Sequence, residues 1–131
     1  MDDDDAVRFF RFHAETHSAS TPGRMLQKVR HNNFVIDDPA RPAYGGPGES
    51  PNAGEYFLSG ITGCAGLMME RIAREESLPL ERVVVAMDAA IDTTVTERNG
   101  PPVFDEASMQ FTFWGLTDEQ AGQLVETFKG R

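Results

Sequence analysis

The one cysteine of this chain, Cys64, sits in the small-residue, helix-forming stretch GEYFLSGITGCAGLMMERIA, entered from the Gly/Pro-rich loop ARPAYGGPGESPN. A thiol does nucleophilic or redox chemistry as the thiolate, so a working Cys64 needs a guanidinium or another positive group beside its sulfur. Gly60 and Gly63 each cost roughly 1 kcal/mol relative to alanine in a helix interior, and close approach of another backbone or a ligand is the usual compensation. Helical spacing puts Ile61 and Met68 on the face of Cys64. That placement also suits a buried, inert cysteine, since free Cys is among the most buried residue types.

Glu55 is the carboxylate to weigh beside the thiol. The two positions are nine residues apart, which in one helix means a rise of roughly 13 Å and a rotation of about 180°. Their side chains meet only through a partner subunit or a bent entry segment. As a helix-capping glutamate, Glu55 needs neither. Three arginines could bring a guanidinium over the helix: Arg24 after the first loop, Arg30 before the next turn, and Arg41 in the long loop; a solvated surface arginine is the alternative for each. His13, Glu15 and His17 share one strand face, but no fourth ligand follows at a recognised spacing, so no metal site is expected. No GxGxxG, P-loop or GxSxG pattern is present, and no cofactor is expected.

The 131 residues suit one domain with a real core. Twelve Lys plus Arg against twenty-one Asp plus Glu give a formal charge of −9, which repels phosphate backbones and anionic lipid, so neither nucleic acid nor membrane is an expected partner. Asp2 to Asp5 mark residues 1–6 as an acidic, disordered tail ahead of a single domain over 7–131. No stretch approaches the roughly twenty apolar residues of a membrane span, and the acidic start is unlike a signal peptide, so a cytoplasmic location is expected. There a lone cysteine forms no internal disulfide.

The elements that must position these groups follow from periodicity. Alternation from Val7 to His17 predicts a half-buried strand, with Phe10, Phe12, Ala14 and Thr16 on one side. Ser18 to Gly23 is turn material, Arg24 to Arg30 a second strand, His31-Asn32-Asn33 a hairpin turn, and Phe34 to Asp37 a third strand. Asp38 to Pro51 holds too many prolines and glycines for a regular element, and loops of that length often serve function. Asn52-Ala53-Gly54-Glu55 predicts a helix start with Glu55 at N3, and Pro79 should follow the helix end. Val83 to Ile91, running on toward Thr96, and Phe104 to Trp114 predict two strands around an Asn99-Gly100-Pro101-Pro102 turn. Thr117 to Gln120 opens a last helix carrying Ala121, Leu124, Val125 and Phe128. The order βββ-α-ββ-α indicates an α+β fold.

The segment RHNNFVIDDPARPAYGGPGESPNAGEYFLSGITGCAG, the strand VVVAMDAAID and the end FTFWGLTDEQAGQLVETF together resemble the OsmC/Ohr family of osmotically inducible and organic-hydroperoxide-resistance proteins, in its OsmC-like branch. The resemblance implies an intertwined homodimer in which antiparallel strands wrap two central helices, whose glycines would let them pack closely. It implies that Cys64 is the peroxidatic thiol, that Arg24 is the loop arginine beside it, and that Glu55 holds the arginine. Glu55 lies one residue nearer the cysteine than in the peroxidase branches and does not directly follow a proline. The family's resolving cysteine, usually in a Cys-Pro segment after the last helix, has no counterpart before Gly130-Arg131. Either a tail is missing or an external thiol reduces the sulfenic acid.

Two functions follow from the resemblance. One is a thiol peroxidase for organic hydroperoxides, with Cys64 as nucleophile, Arg24 stabilising the thiolate and Glu55 orienting Arg24. The other is a non-catalytic, stress-related dimer that binds a small apolar ligand at the subunit interface, with Cys64 as a pocket wall.

Overall fold

The structure, a computed structural model, describes residues 8–95, 97–100 and 104–131. The acidic tail, Val7, Thr96 and the Pro101-Pro102 part of the expected turn lie outside them. Among the described residues, five strands and two helices follow in the order βββ-α-ββ-α, an α+β fold in which every strand pairing is antiparallel. The chain divides into two compact units, with the boundary between Tyr56 and Phe57.

In the first unit, β1 (Glu15–Ser18), β2 (Arg24–Val29) and β3 (Asn32–Asp37) form one sheet in the order β1-β2-β3. The first strand is much shorter than its alternation suggests, and Phe10 and Phe12 are 83% and 85% exposed. The reason is the partner strand: β1 pairs Glu15 with Lys28 and Ser18 with Met25, and beyond Val29 the chain turns away. Alternation without a strand opposite it does not make a ladder. The hairpin turn is Arg30-His31 rather than His31-Asn33. Arg30 takes the positive φ of 56°, and Asn32 already pairs with Val29.

In the second unit, helix α1 (Ala53–Glu75, entered from the first unit) is followed by β4 (Arg82–Ala90), β5 (Glu106–Trp114) and α2 (Asp118–Lys129). The core is Met69, Ile72 and Ala73 of α1 against Leu124 of α2, with Phe111, Phe113, Val125 and Phe128 packed around it. Each fully buried Met, Ile or Leu here contributes about 1.5–3 kcal/mol. Along β4 the even alternation leaves Val83, Val85, Met87 and Ala89 half-buried and their neighbours exposed, the signature of a sheet covered on one face. Strand β4 stops at Ala90 and β5 begins at Glu106, inside the expected limits. Asp105, just outside, is occupied otherwise, accepting from the backbone N–H of Asp92 and from both Nη atoms of Arg98.

Both helices begin as their sequences predict. Thr117 and Gln120 form a reciprocal capping box for α2, and Asn52 and Glu55 do the same for α1. Helix α1 ends in a Schellman motif, in which the Leu78 N–H donates to the Ala73 carbonyl at 2.8 Å and the Ser77 N–H to Arg74 at 3.3 Å. Ser77 takes the left-handed position, φ 54°, where glycine is usual. Pro79 lies just beyond.

Candidate functional site

The first group of functional side chains is built by the register of β2 on β3. Arg24 opens β2 directly opposite Asp37, the last residue of β3. Opposite charges on facing residues attract, and here the pair is bidentate: Arg24 Nε donates to Asp37 Oδ1 at 2.7 Å and Nη2 to Oδ2 at 3.0 Å. Asp37 is 1% exposed, and a buried carboxylate must have its lone pairs satisfied. The backbone N–H groups of Glu49 and Ser50 complete the set at 3.1 and 2.9 Å. Arg24 chiefly, and then those two N–H groups, hold the Asp37 carboxyl down at about 2 against the opposing effect of burial. The same neighbours hold the proton more firmly on Arg24.

The breaker-rich loop explains how Glu49 and Ser50 come back to Asp37. Asp38 N–H donates to Gly23 O at 2.8 Å, Gly46 N–H to Pro39 O at 3.1 Å and Gly48 N–H to Asp38 O at 3.1 Å. Gly23 has φ 78°, and a Cβ there would stand 2.7 Å from the Gly46 Cα; one on Gly46 would overlap the Asp38 carbonyl. Two glycines facing each other are what let the loop fold against the β1–β2 turn. Glu49, exposed, accepts a further bond from Arg24 Nη2 at 3.2 Å.

Glu55 takes part in a different network. Its Oε1 accepts from the Asn52 N–H at 3.1 Å, and its own N–H donates to Asn52 Oδ1 at 2.8 Å. The carboxylates that hold Arg24 are therefore Asp37 and Glu49, neither of which spacing singled out. The signal available was a strand-ending Asp before a loop rich in free backbone N–H groups, opposite an Arg at the start of the facing strand. Arg30 and Arg41 are exposed and, among the described residues, make no ion pair.

In the second unit, Cys64 is exposed, unlike the buried, inert cysteine that its spacing also allowed. The core face of α1 is Ala65, Met69, Ile72 and Ala73. With about 100° between residues, Gly60, Cys64 and Leu67 fall within about 60° of one another on the opposite face. Phe57 is 61% and Leu67 64% exposed on that face. A Cβ added at Gly60 or Gly63 would meet no atom within 4 Å, so among the described residues no close packing offsets their helix cost.

The histidines do come together: Nε2 of His13 and Nε2 of His17 each lie 3.2 Å from an oxygen of Glu15, all three side chains exposed. Among the described residues, no three His, Cys, Asp or Glu side chains are arranged to hold a metal ion. No helix among them is long and apolar enough to cross a membrane.

Residues 46–131 match a family model described as OsmC-like protein, and no curated protein sequence matches the chain. Among solved structures, the chain is similar to an OsmC-like protein from Mycoplasma pneumoniae (TM-score 0.77, 12% identity, 93% of this chain and 82% of that one). It is also similar to an organic hydroperoxide resistance protein OsmC from Legionella pneumophila (TM-score 0.69, 18% identity, 91% and 82%). A third is a candidate organic hydroperoxide resistance protein from Vibrio cholerae O1 biovar eltor, with captopril in one of its active sites (TM-score 0.59, 23% identity, 91% and 77%). At these identities the likeness is one of fold.

Proposed function

The chain belongs to the OsmC-like protein family, and on that premise we propose that it is a thiol-dependent peroxidase for organic hydroperoxides with Cys64 as the nucleophile. The observation that carries this reading is that the only cysteine of the sequence stands exposed on the uncovered face of α1. Similar folds from Legionella pneumophila and Vibrio cholerae that bear a hydroperoxide-resistance description support it.

The thiolate sulfur attacks the distal oxygen of ROOH. The O–O bond breaks, the sulfur is oxidised to the sulfenic acid, and the alkoxide leaves and takes a proton to give ROH. A thiol from outside these 131 residues then condenses with the sulfenic acid, releasing water and leaving a mixed disulfide. A second such thiol restores Cys64 and carries the disulfide away. Arg24 supplies the guanidinium that favours the thiolate. Glu55 keeps the role its hydrogen bonds give it, fixing where the Cys64 helix begins. A second copy of the chain covers Phe57, Gly60, Cys64 and Leu67, making a homodimer in a reducing, cytoplasmic setting.

A second reading has its own support. An arginine already paired with Asp37 and Glu49 has less to give a thiolate, which favours the dimer that binds an apolar ligand without turnover. Consumption of cumene hydroperoxide with a dithiol reductant separates the two. The peroxidase loses activity in Cys64→Ser, and one equivalent of peroxide without reductant adds about 16 Da to the wild-type chain. Equal turnover in Cys64→Ser, or no mass gain, refutes the peroxidase.

A further inference from the structure

Within the second unit, a cavity of about 270 Å³ lies between the C-terminal end of α1 and the start of β4. Its buried and half-buried lining is apolar, from Ala73, Leu78, Leu80 and Val83, and its exposed lining is charged, from Glu70, Arg74, Glu81 and Arg82. We propose that this cavity binds a small zwitterion with an aliphatic body, such as L-leucine, a role separate from the peroxidase chemistry. The walls are fixed by backbone bonds. The Leu78 N–H closes α1 on the Ala73 carbonyl, and the Glu81 N–H donates to the Trp114 carbonyl at 2.9 Å. Leu78 and Leu80 also pack against the core. Gly115 has φ 92°, and a Cβ there would stand 2.7 Å from Cγ of Glu81, so the glycine makes room for that side chain. The Arg82 guanidinium carbon lies 4.4 Å from the centre of the Trp114 ring. Such stacking orients the guanidinium by cation–π attraction and leaves its N–H edges free to donate.

Size and charge together select the ligand. Pockets for drug-sized molecules run from about 300 to 1,000 Å³, so this one takes something smaller. Among the described residues, none of Glu70, Arg74, Glu81 and Arg82 makes an ion pair. Two guanidinium groups and two carboxylates therefore face one cavity with their hydrogen-bonding capacity unspent. A simple carboxylate would meet both arginines but also two like charges, and a simple amine would meet the reverse. A molecule carrying both signs finds a partner for each, and hydrogen bonds between charged groups are the strong ones. Arg74 and Arg82 take its carboxylate, Glu70 and Glu81 its ammonium group, and the apolar lining its aliphatic body.

Titration of the full chain followed by amide and indole NMR tests this with three probes: L-leucine, isocaproate, which lacks the ammonium group, and isoamylamine, which lacks the carboxylate. Leucine should shift the signals of Leu78, Leu80, Val83 and the Trp114 indole saturably, with a Kd on the order of 1 mM. Each single-charge analogue should bind about tenfold more weakly. Arg82→Gln should weaken leucine about tenfold, and where that change disturbs the Trp114 signal, Arg74→Gln carries the same expectation. Glu81→Gln should weaken leucine and strengthen isocaproate, because it removes a partner of the ammonium group and a repeller of the carboxylate. Equal binding of all three probes would mean apolar contact alone, and isocaproate binding more tightly than leucine would mean an anion site. Either result overturns the proposal, as does the absence of a saturable shift at these residues up to about 10 mM leucine.

Discussion

Replacing Gly60 and Gly63 together by alanine tests whether the uncovered face of α1 is free or shared. Each glycine lies inside the helix, with both neighbouring turns formed, and each added methyl would stand in open space in the single chain. Helix propensity alone then stabilises the chain by about 0.8–1 kcal/mol per site, near 2 kcal/mol for the pair. For a protein of this size that raises Tm by about 5–12 °C. A second copy packed on the same face reverses the outcome, because two methyls on each copy hold the helices apart and forfeit close contacts on both sides. The expected result is a weaker dimer, seen as a rise in the dissociation constant by sedimentation velocity over a concentration series. Tm should also become more dependent on concentration, since association stabilises only the folded chain. A double variant that gains the full propensity increment in Tm with its oligomeric state unchanged refutes the shared face.

Ser77→Gly should stabilise the protein by about 0.5–1 kcal/mol, because serine occupies the left-handed cap position of α1 at φ 54° that glycine adopts without a Cβ clash; chemical denaturation measures it, and a loss of stability contradicts the cap assignment. Acid should unfold the protein through Asp37 and Asp105, both held at about 2 against an ordinary 3.8, chiefly by Arg24 and Arg98 respectively. The folded chain takes up these protons less readily than the unfolded one. Their stabilisation is therefore whole above about pH 5 and drains away as pH falls from 4 toward 2. Asp105→Asn should flatten that acid limb, as read by circular dichroism against pH.

Much of the fold was legible because its signals are local. Thr117 and Gln120 answer each other within one turn, as do Asn52 and Glu55. The β-branched run of β4 alternates over its whole length because β5 lies opposite all nine residues. Where a reading needed a distant partner it failed. Phe10 and Phe12 alternate like a strand, but β2 has already turned at Arg30, and only Glu15 to Ser18 find pairs. The thiol was identifiable by type and its exposure was not, since Ile61 and Met68 border the uncovered face as well as the core. Asp37 was read only as the end of a strand. Its burial depends on Arg24, thirteen residues earlier, and on the N–H groups of Glu49 and Ser50, returned twelve and thirteen residues later by a loop whose folding no spacing rule predicts.

The exposed thiol and the covered face are not independent proposals. Among the described residues the buried apolar side chains are five, two of them alanines, while Phe57 and Leu67 are largely exposed on the helix face that carries Cys64. Burying that stripe under a second copy gains about 25 cal/mol for each Å² of apolar area, and it also takes the sulfur out of water. Desolvation disfavours the charged form of a thiol in general, so in the proposed dimer association and nucleophile would oppose each other. A helix N-terminus cannot offset this, because its influence fades within the first turn, and Cys64 lies eleven residues into α1. The compensation has to be a hydrogen bond from a cation that stays charged when buried, which lysine does poorly and arginine does well. A peroxidase closed over this face would therefore need a guanidinium at the sulfur.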